Sequence, residues 1–356
     1  MATVKPTLGT APLRPLIWCF TKDQPFRVKM KSHHFKIFNQ LLAALVLAST
    51  IFIPANAQSQ DTNEGIVLYN QLKTTAAIPF LRKSADSGDS ESQYYLGEAL
   101  RKKNGYITPE ASTSYESAAK SGNLYAMIRL GETSQDLCSQ MKRCTTGSKA
   151  SGEWNKEAKT LAQKKAADGD SEAMYILYLI LGDDDWLEKS AQAGYAPSQF
   201  LLGNKYREGK GFFVMHSGRS ATIARWMKAS AEGGYPQGMM AYAAELYENN
   251  DLAGYRYWNE KAAEAGYPSA VYGLGINLSK KNSEYGFSTN LIKSYALLEL
   301  LTSLDGGGGM DGYAKNALPN IIRQMSESDI TQGKIFSEQW KSSHPPLSFF
   351  PPKLSY

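Results

Sequence analysis

Residues 258–275 read WNEKAAEAGYPSAVYGLG, and this stretch carries the pattern that decides the fold. An alanine lies three residues before Gly266, a small residue lies four residues after it, and Leu274 lies eight residues after it. Small and apolar residues at this spacing line one face of a helix, and a glycine between two such segments ends one helix and precedes the next. The stretch therefore predicts two helices joined by a tight turn.

The same pattern occurs six times along the chain. Its anchor glycines are Gly88, Gly122, Gly169, Gly194, Gly234 and Gly266. Each has alanine three residues earlier and serine, alanine or glycine four residues later, and five of the six have leucine eight residues later. Bulky residues expected to pack between neighbouring units lie eight residues before five of the glycines: Phe80, Leu161, Trp186, Trp226 and Trp258. Units of this length cannot bury their apolar faces alone, so the six copies are expected to stack.

This motif resembles that of the Sel-like repeat proteins, relatives of the tetratricopeptide repeats, in which Ala-x-x-Gly is followed by alanine and then by Leu-Gly. The resemblance implies an all-α fold, a right-handed α/α solenoid of about six helix-turn-helix repeats. It covers residues 75–305. Residues 58–74 are then a capping half-unit, residues 306–341 are C-terminal capping helices, and residues 342–356 are a tail rich in proline and aromatic residues. A last helix is predicted to begin at Ser326, whose hydroxyl suits the N-cap.

The spacing of the anchor glycines becomes irregular in the middle of the array. The two intervals that flank Gly169 are 47 and 25 residues, against 32 to 40 elsewhere, which indicates an insertion followed by a deletion. The insertion, residues 133–153, holds Cys138 and Cys144. We expect these two to form a structural disulfide worth about 2 kcal/mol. A redox-active pair, the alternative, favours the closer Cys-x-x-Cys spacing.

The N-terminal region is typical of an export signal. Residues 41–53 are an uncharged apolar run with lysines before it and Ala55-Asn56-Ala57 after it, which predicts cleavage after Ala57. Residues 1–57 are thus an N-terminal extension and signal peptide, with Met30 as the expected true start, and the mature protein is expected in the periplasm. The run is short for a hydrocarbon layer of ~30 Å, so stable membrane insertion is not expected, although a retained anchor is the alternative.

The net charge changes once the signal is set aside. The whole chain has 39 basic and 34 acidic residues, a formal charge of +5. Residues 1–57 contain seven basic residues and one acidic residue, so the remainder has 32 basic and 33 acidic residues. Nucleic-acid binding depends on a surplus of clustered lysine and arginine, and no such surplus remains. Nucleic acid is therefore not a predicted partner.

The residues favour no catalytic chemistry. Outside the signal the histidines are His216 and His344, too few for a metal site or triad, so no catalytic, metal or cofactor site is predicted. Some cysteine-rich relatives in the resembled family have been linked to penicillin binding or β-lactamase activity. The Ser-x-x-Lys matches at Ser117 and Ser139 keep that activity, or a peptidoglycan-directed hydrolase, as the alternative function.

A protein-binding surface is the remaining function. Residues seven and eleven positions after the anchor glycines leave the buried stripe, and they form the predicted surface: Tyr95, Arg129, Leu201, Lys205 and Glu245. The tail is expected to cover the last hydrophobic edge of the solenoid, or else to await a partner. The resemblance implies a non-catalytic envelope scaffold, or an immunity protein that neutralises a secreted effector such as a phospholipase. The identity of the partner and the oligomeric state stay open.

Overall fold

The structure is a computed structural model that describes residues 64–145, 147–213 and 215–354. The chain divides into two units, residues 1–59 and 60–356, and every described residue belongs to the second. The predicted signal peptide and its cleavage site lie outside the described residues. Within the described ranges the regular elements are all helices. The prediction of an all-α fold is confirmed.

The helices are numbered in chain order. They are α1 (Glu64–Asn70), α2 (Thr74–Asp86), α3 (Ser90–Asn104), α4 (Pro109–Lys120), α5 (Leu124–Gly131), α6 (Leu137–Gln140), α7 (Ser151–Ala167), α8 (Ser171–Leu181), α9 (Asp184–Gln192), α10 (Ala196–Arg207), α11 (His216–Glu232), α12 (Pro236–Glu248), α13 (Leu252–Glu264), α14 (Pro268–Ser279), α15 (Leu291–Leu301), α16 (Met310–Ile322) and α17 (Glu327–Ser343).

Each anchor glycine forms the turn of a helical hairpin. The hairpins are α2–α3, α4–α5, α7–α8, α9–α10, α11–α12 and α13–α14. Each packs against the first helix of the following hairpin, so that α5 contacts α7 rather than the short α6, and the last hairpin packs against α15. The six glycines have φ angles between 81° and 94°. This left-handed backbone is costly for any residue that has a Cβ atom, whereas glycine adopts it readily. The predicted stack of six helix-turn-helix units, an α/α solenoid, is therefore confirmed.

The helix that follows each turn begins with one of two local sequences. In three hairpins, the side chain of the residue after the glycine accepts a hydrogen bond from a main-chain N–H of the helix: Asp89, Asn123 and Asp170. This bond satisfies a donor that the first helical turn leaves free. In the other three a tyrosine takes this place, with proline one or two residues later: Tyr195, Tyr235 and Tyr267. Proline suits the first turn because its missing N–H would have no helical acceptor there.

The small residues of the motif allow close helix packing. The residue four positions after each anchor glycine is buried: Ser92, Ala126, Ala173, Ser198, Gly238 and Ala270. The glycine of the Leu-Gly pair has a related role. A β-carbon at Gly97 in α3 would lie 2.6 Å from Cδ1 of Tyr115 in α4, a distance that real side chains do not reach. This glycine therefore allows α3 and the fully buried ring of Tyr115 to pack together.

The bulky residue upstream of each turn is less buried than expected. Trp186, Trp226 and Trp258 are half-buried, and Phe80 is 39% exposed. The following residue is the fully buried one in several units, as Leu187 and Met227 show. Because successive helical residues differ by about 100° in direction, the large ring lies at the edge of the contact while its smaller neighbour enters the core. Trp186, Trp258 and Trp226 nevertheless pack against the core, as partly buried rings at its edge.

The middle of the array is irregular on both sides of α7 and α8. Residues 133–153 form a 3₁₀ turn (Thr133–Gln135), the short α6 and the first residues of α7. Cys138 and Cys144 form a disulfide with Cα atoms 4.8 Å apart, and Cys138 is fully buried. Downstream, only two residues separate α8 from α9, which accounts for the short interval between the glycines. The predicted disulfide is confirmed.

The two ends of the array touch each other. The last helix, α17, follows Ser326, whose hydroxyl accepts from the Asp329 N–H, as the sequence predicts. Before it, the loop between α15 and α16 reaches the loop between α1 and α2. Lys73 Nζ lies 3.0 Å from Asp305 Oδ1, and a β-carbon on Gly306 would lie 2.6 Å from the main-chain nitrogen of Lys73. The helical array between these loops therefore closes on itself.

Candidate functional site

Aromatic rings from successive units line one face of the array. We call this face the aromatic groove and define it by six of its residues: Tyr95, Tyr125, Tyr175, Tyr195, Phe200 and Tyr235. The rings meet across unit boundaries. The ring centroids of Tyr175 and Tyr195 are 5.5 Å apart, and those of Phe200 and Tyr235 are 5.6 Å apart. Aromatic pairs at such distances are favourable beyond the area they bury, so the groove is an ordered surface.

Two of the five groove tyrosines occupy a fixed position in the turn of the repeat. Tyr195 and Tyr235 each follow an anchor glycine, at the position that carries a capping side chain in other hairpins. The partners Tyr175 and Phe200 lie six residues after the preceding anchor glycine. The repeat frame thus places a ring from the middle of one helix against a ring from the next turn. Tyrosine offers a large apolar face with a polar end, which is why it is common at protein interfaces.

The C-terminal tail lies in this groove. Residues 345–352 have no regular secondary structure. All of them except Phe349 line a cavity of about 1220 Å³ together with the aromatic groove. Main-chain hydrogen bonds hold the tail, since Ser348 donates to the Gly266 carbonyl and Phe349 donates to the Asn70 carbonyl, each at 3.0 Å. Farther along, the Tyr94 hydroxyl donates to the carbonyl of Lys353. The tail covers this face, and reaches the first repeats, rather than only the last edge of the solenoid.

An anchor glycine also makes room for the tail. A β-carbon at Gly266 would lie 2.7 Å from the carbonyl oxygen of Pro346. Two constraints therefore meet at Gly266: its φ of 81° and the close passage of the tail. The tail is thus in contact with the repeat backbone itself and not only with side chains.

Glu172 is the polar centre of the groove. Its Oε1 accepts hydrogen bonds from the hydroxyls of Tyr125 at 2.9 Å and Tyr195 at 3.2 Å, and it lies 3.2 Å from Lys353 Nζ. The Lys353 ammonium also lies 5.0 Å from the centroid of the Tyr125 ring. Burial, and after it the negative charge of Glu172, raises the pKa of Tyr195 above its ordinary range. One carboxylate thus joins two units of the array to the tail.

The predicted surface residues fall into three locations. Tyr95 and Leu201 line the cavity beside the tail. Lys205 and Glu245 form ion pairs with Asp184 and Arg207, at 2.6 and 2.8 Å. Arg129 is only 2% exposed and contacts Glu98, so its side chain does not belong to an accessible surface. Helical spacing alone placed these five side chains together, whereas the packing of neighbouring units separates them.

The Glu98 carboxylate and the Arg129 guanidinium belong to a buried polar cluster. Arg129 Nε donates to Glu98 Oε1 at 2.6 Å, and the Tyr115 hydroxyl donates to the same oxygen at 2.7 Å. Arg101 Nη2 lies 3.2 Å from the other oxygen of Glu98. Burial by itself would lower the pKa of Arg129, but the Glu98 charge outweighs it and raises that pKa. The guanidinium therefore stays charged, and the cluster joins α3, α4 and α5.

The Ser-x-x-Lys match in α4 has the contacts of an ordinary helix surface. The Ser117 hydroxyl donates to the Thr113 carbonyl at 3.1 Å, and Lys120 Nζ, on a largely exposed side chain, lies 3.8 Å from Glu116 Oε2. His344 stacks on Trp340 with 3.8 Å between the ring centroids. Among the residues that the structure describes, no three His, Cys, Asp or Glu side chains are grouped as metal ligands.

The buried tyrosines predict a loss of stability in alkaline solution. Burial, which comes first among the causes, raises the pKa of Tyr235 to about 12 from an ordinary value of 10.0. Between these values the unfolded tyrosine ionises while the folded one stays neutral, so deprotonation favours unfolding. We expect the urea midpoint to be lower at pH 11 than at pH 9, and to fall less in Tyr235→Phe. Equal midpoints at the two pH values would contradict the raised pKa of the Tyr235 hydroxyl and the burial that causes it.

Comparisons with known proteins give structural neighbours only. No family model matches the sequence, and neither does any curated protein. One solved structure is a protective antigen of uropathogenic Escherichia coli strains that displays an SLR fold, with 21% identity and a TM-score of 0.44. The alignment covers 76% of this chain but only 57% of that protein. Another is a Sel1 repeat protein from Oxalobacter formigenes, with 20% identity, a TM-score of 0.37, and 75% and 80% coverage.

The fold assignment rests on the chain itself. Six copies of one sequence motif coincide with six hairpins, and each hairpin turns at a glycine with positive φ. A small residue is buried at the same place in every copy. This repeat motif, together with the order of its hairpins, gives the described residues of 75–305 an α/α solenoid fold that resembles that of the Sel-like repeat proteins.

Proposed function

We propose that this protein is a non-catalytic solenoid that binds an extended segment of another protein in its aromatic groove. The observation that carries the proposal is the docked tail, a segment without regular secondary structure that lies in the groove and forms two main-chain hydrogen bonds with the repeats and α1. Such bonds give affinity without regard to sequence, and neighbouring pockets add selectivity. The tyrosines supply the rigid aromatic contacts that dominate many protein interfaces.

The setting proposed for this function is the bacterial periplasm. The support is the signal-like sequence of residues 1–57 and the disulfide between Cys138 and Cys144, since structural disulfides persist mainly in oxidising compartments. None of the described helices is both long and apolar enough to cross a bilayer. Two roles fit such a binder: a scaffold within an envelope complex, or an immunity protein that occupies a secreted toxic effector. A neighbouring gene for a secreted lipase would favour the second role.

Affinity capture with a groove variant tests the proposal. The wild-type protein and the variant Tyr235→Ala are immobilised and incubated with a periplasmic extract, and the bound proteins are identified by mass spectrometry. A matched control is Tyr257→Ala, because Tyr257 is 52% exposed and lies outside the groove. We expect a stoichiometric partner that Tyr257→Ala retains and that Tyr235→Ala loses at least tenfold. Equal recovery by both variants, or no stoichiometric partner, would count against the groove as the binding site.

A further inference from the structure

The composition of the tail indicates which kind of peptide fits the groove. Residues 345–353 read PPLSFFPPK. Proline restricts the backbone to extended conformations, so a segment with four prolines loses little conformational entropy when it binds as a strand. Its aromatic residues contact the repeats: the rings of Phe350 and Tyr267 are 6.3 Å apart, and a β-carbon at Gly308 would lie 2.9 Å from the Phe349 ring. The tail is thus a largely extended peptide, with one left-handed residue at Phe350 (φ 48°), and it is held by its backbone, its rings and a single cation.

The charged residues around the cavity favour the binding of a cation such as the Lys353 ammonium. Glu64, Asp89 and Glu91 line the cavity, and Glu172 faces the tail where Lys353 docks. Among the described residues that line the cavity, Lys353 is the only basic one, and the tail itself contributes it. The fixed walls of the groove are therefore acidic and aromatic. Such a surface attracts lysine or arginine through both the carboxylates and the ring faces.

We infer that the aromatic groove selects an extended, proline-rich segment of a partner protein that carries a lysine or arginine, and that this segment replaces the chain's own tail with its cation on Glu172. The inference rests on the proposed function and names the partner chemistry of the same site. The tail is then an intramolecular competitor. A tethered segment has an effective concentration of the order of millimolar, so it lowers the apparent affinity for any partner until its own docking weakens.

Peptide binding to the full chain tests this inference. The probe is a fluorescent synthetic peptide with the sequence of residues 343–354, SHPPLSFFPPKL, measured by anisotropy. In Lys353→Glu the tail loses its pair with Glu172 and meets an acidic wall, so the free peptide should bind about tenfold more tightly than to wild type. The control is Lys341→Glu, in which an exposed lysine of α17, paired with Glu338, is reversed outside the groove. This variant should bind the peptide as wild type does.

A second pair of measurements isolates the charge contact. A peptide with its lysine replaced by glutamate should bind the Lys353→Glu chain at least tenfold more weakly than the unsubstituted peptide does. In the double variant Lys353→Glu with Glu172→Lys, the reversed pair should restore docking of the tail and return peptide binding to the wild-type level or below. Urea midpoints within the range of wild type establish that the variants fold, as expected because the Lys353 side chain is 37% exposed.

Three outcomes would overturn the inference. They are equal peptide affinities for Lys353→Glu and wild type, equal binding of the two peptides, and no peptide binding to any of these chains. The capture experiment separates such a failure from failure of the proposed function. If Tyr235→Ala still loses the captured partner, the groove binds proteins through a chemistry unlike that of the tail, and only the present inference fails.

Discussion

Replacement of Arg129 by alanine is expected to lower the free energy of unfolding by about 3–5 kcal/mol. The Glu98 side chain is fully buried and lies between Arg129, Arg101 and the Tyr115 hydroxyl. Removal of the Arg129 guanidinium leaves the carboxylate with its desolvation cost and without its closest cation, at 2.6 Å. Removal of one partner from a buried ion pair is among the more destabilising changes in proteins, even though Arg101 and the Tyr115 hydroxyl still contact Glu98. Urea unfolding followed by circular dichroism measures the loss.

The surface pair of Lys341 and Glu338 provides the control for this variant. Both side chains are more than half exposed, so Lys341→Ala should change stability by about 1 kcal/mol or less. A double variant, Glu98→Gln with Arg129→Met, removes both charges together and should recover much of the loss. If Arg129→Ala costs no more than Lys341→Ala, the cluster is not the buried element that its contacts indicate.

Replacement of Gly97 by alanine is expected to have a net cost of about 1 kcal/mol. The new β-carbon would lie 2.6 Å from Cδ1 of Tyr115, a ring that is fully buried and bonded through its hydroxyl to Glu98. The ring cannot move away cheaply, and overpacking of this kind costs about 1–3 kcal/mol. Alanine also favours the helix over glycine by about 0.5–1 kcal/mol, which offsets part of the cost. The urea midpoint and the slope of the transition measure the net effect.

Gly273 is the matched control, because it also lies inside a repeat helix. A β-carbon at Gly273 in α14 would meet nothing within 4 Å. Alanine there keeps the propensity gain without the clash, so Gly273→Ala should stabilise the protein by about 0.5–1 kcal/mol. The two substitutions are chemically identical and differ in predicted sign. Destabilisation of similar size by both would mean that close packing against Tyr115 is not the reason for glycine at position 97.

The sequence was sufficient to predict the fold, because the decisive contacts repeat. Each anchor glycine, with its preceding alanine and its following small residue, describes a local turn and a close helix contact. Both depend on residues only a few positions apart, so the pattern can be read in one copy and checked in the others. The start of α17 after Ser326 was predictable for the same reason, since an N-cap involves only the first turn of its own helix.

The site was harder to predict because its contacts are distant in the sequence. The Tyr94 hydroxyl binds the Lys353 carbonyl across 259 residues, and Lys353 pairs with Glu172 across 181 residues. Helical periodicity describes which way a side chain leaves its own helix, but not what the next unit places in front of it. Helical spacing placed Arg129 outside the buried stripe of α5, yet its side chain is buried against Glu98 of α3. Tyrosine after the anchor glycine in three copies was the one local signal of the groove.

The contact of Lys73 with Asp305 and Gly306 affects the order in which the repeats are expected to unfold. In an open stack of repeats the outermost units have one neighbour each, and they fray before the middle does. Here the loop after α1 and the loop after α15 give each terminus a second neighbour, and the tail spans between them. Loss of any one unit therefore also removes support from both termini. We therefore expect this molecule, although assembled from serial copies, to unfold more cooperatively than an open array of the same repeats.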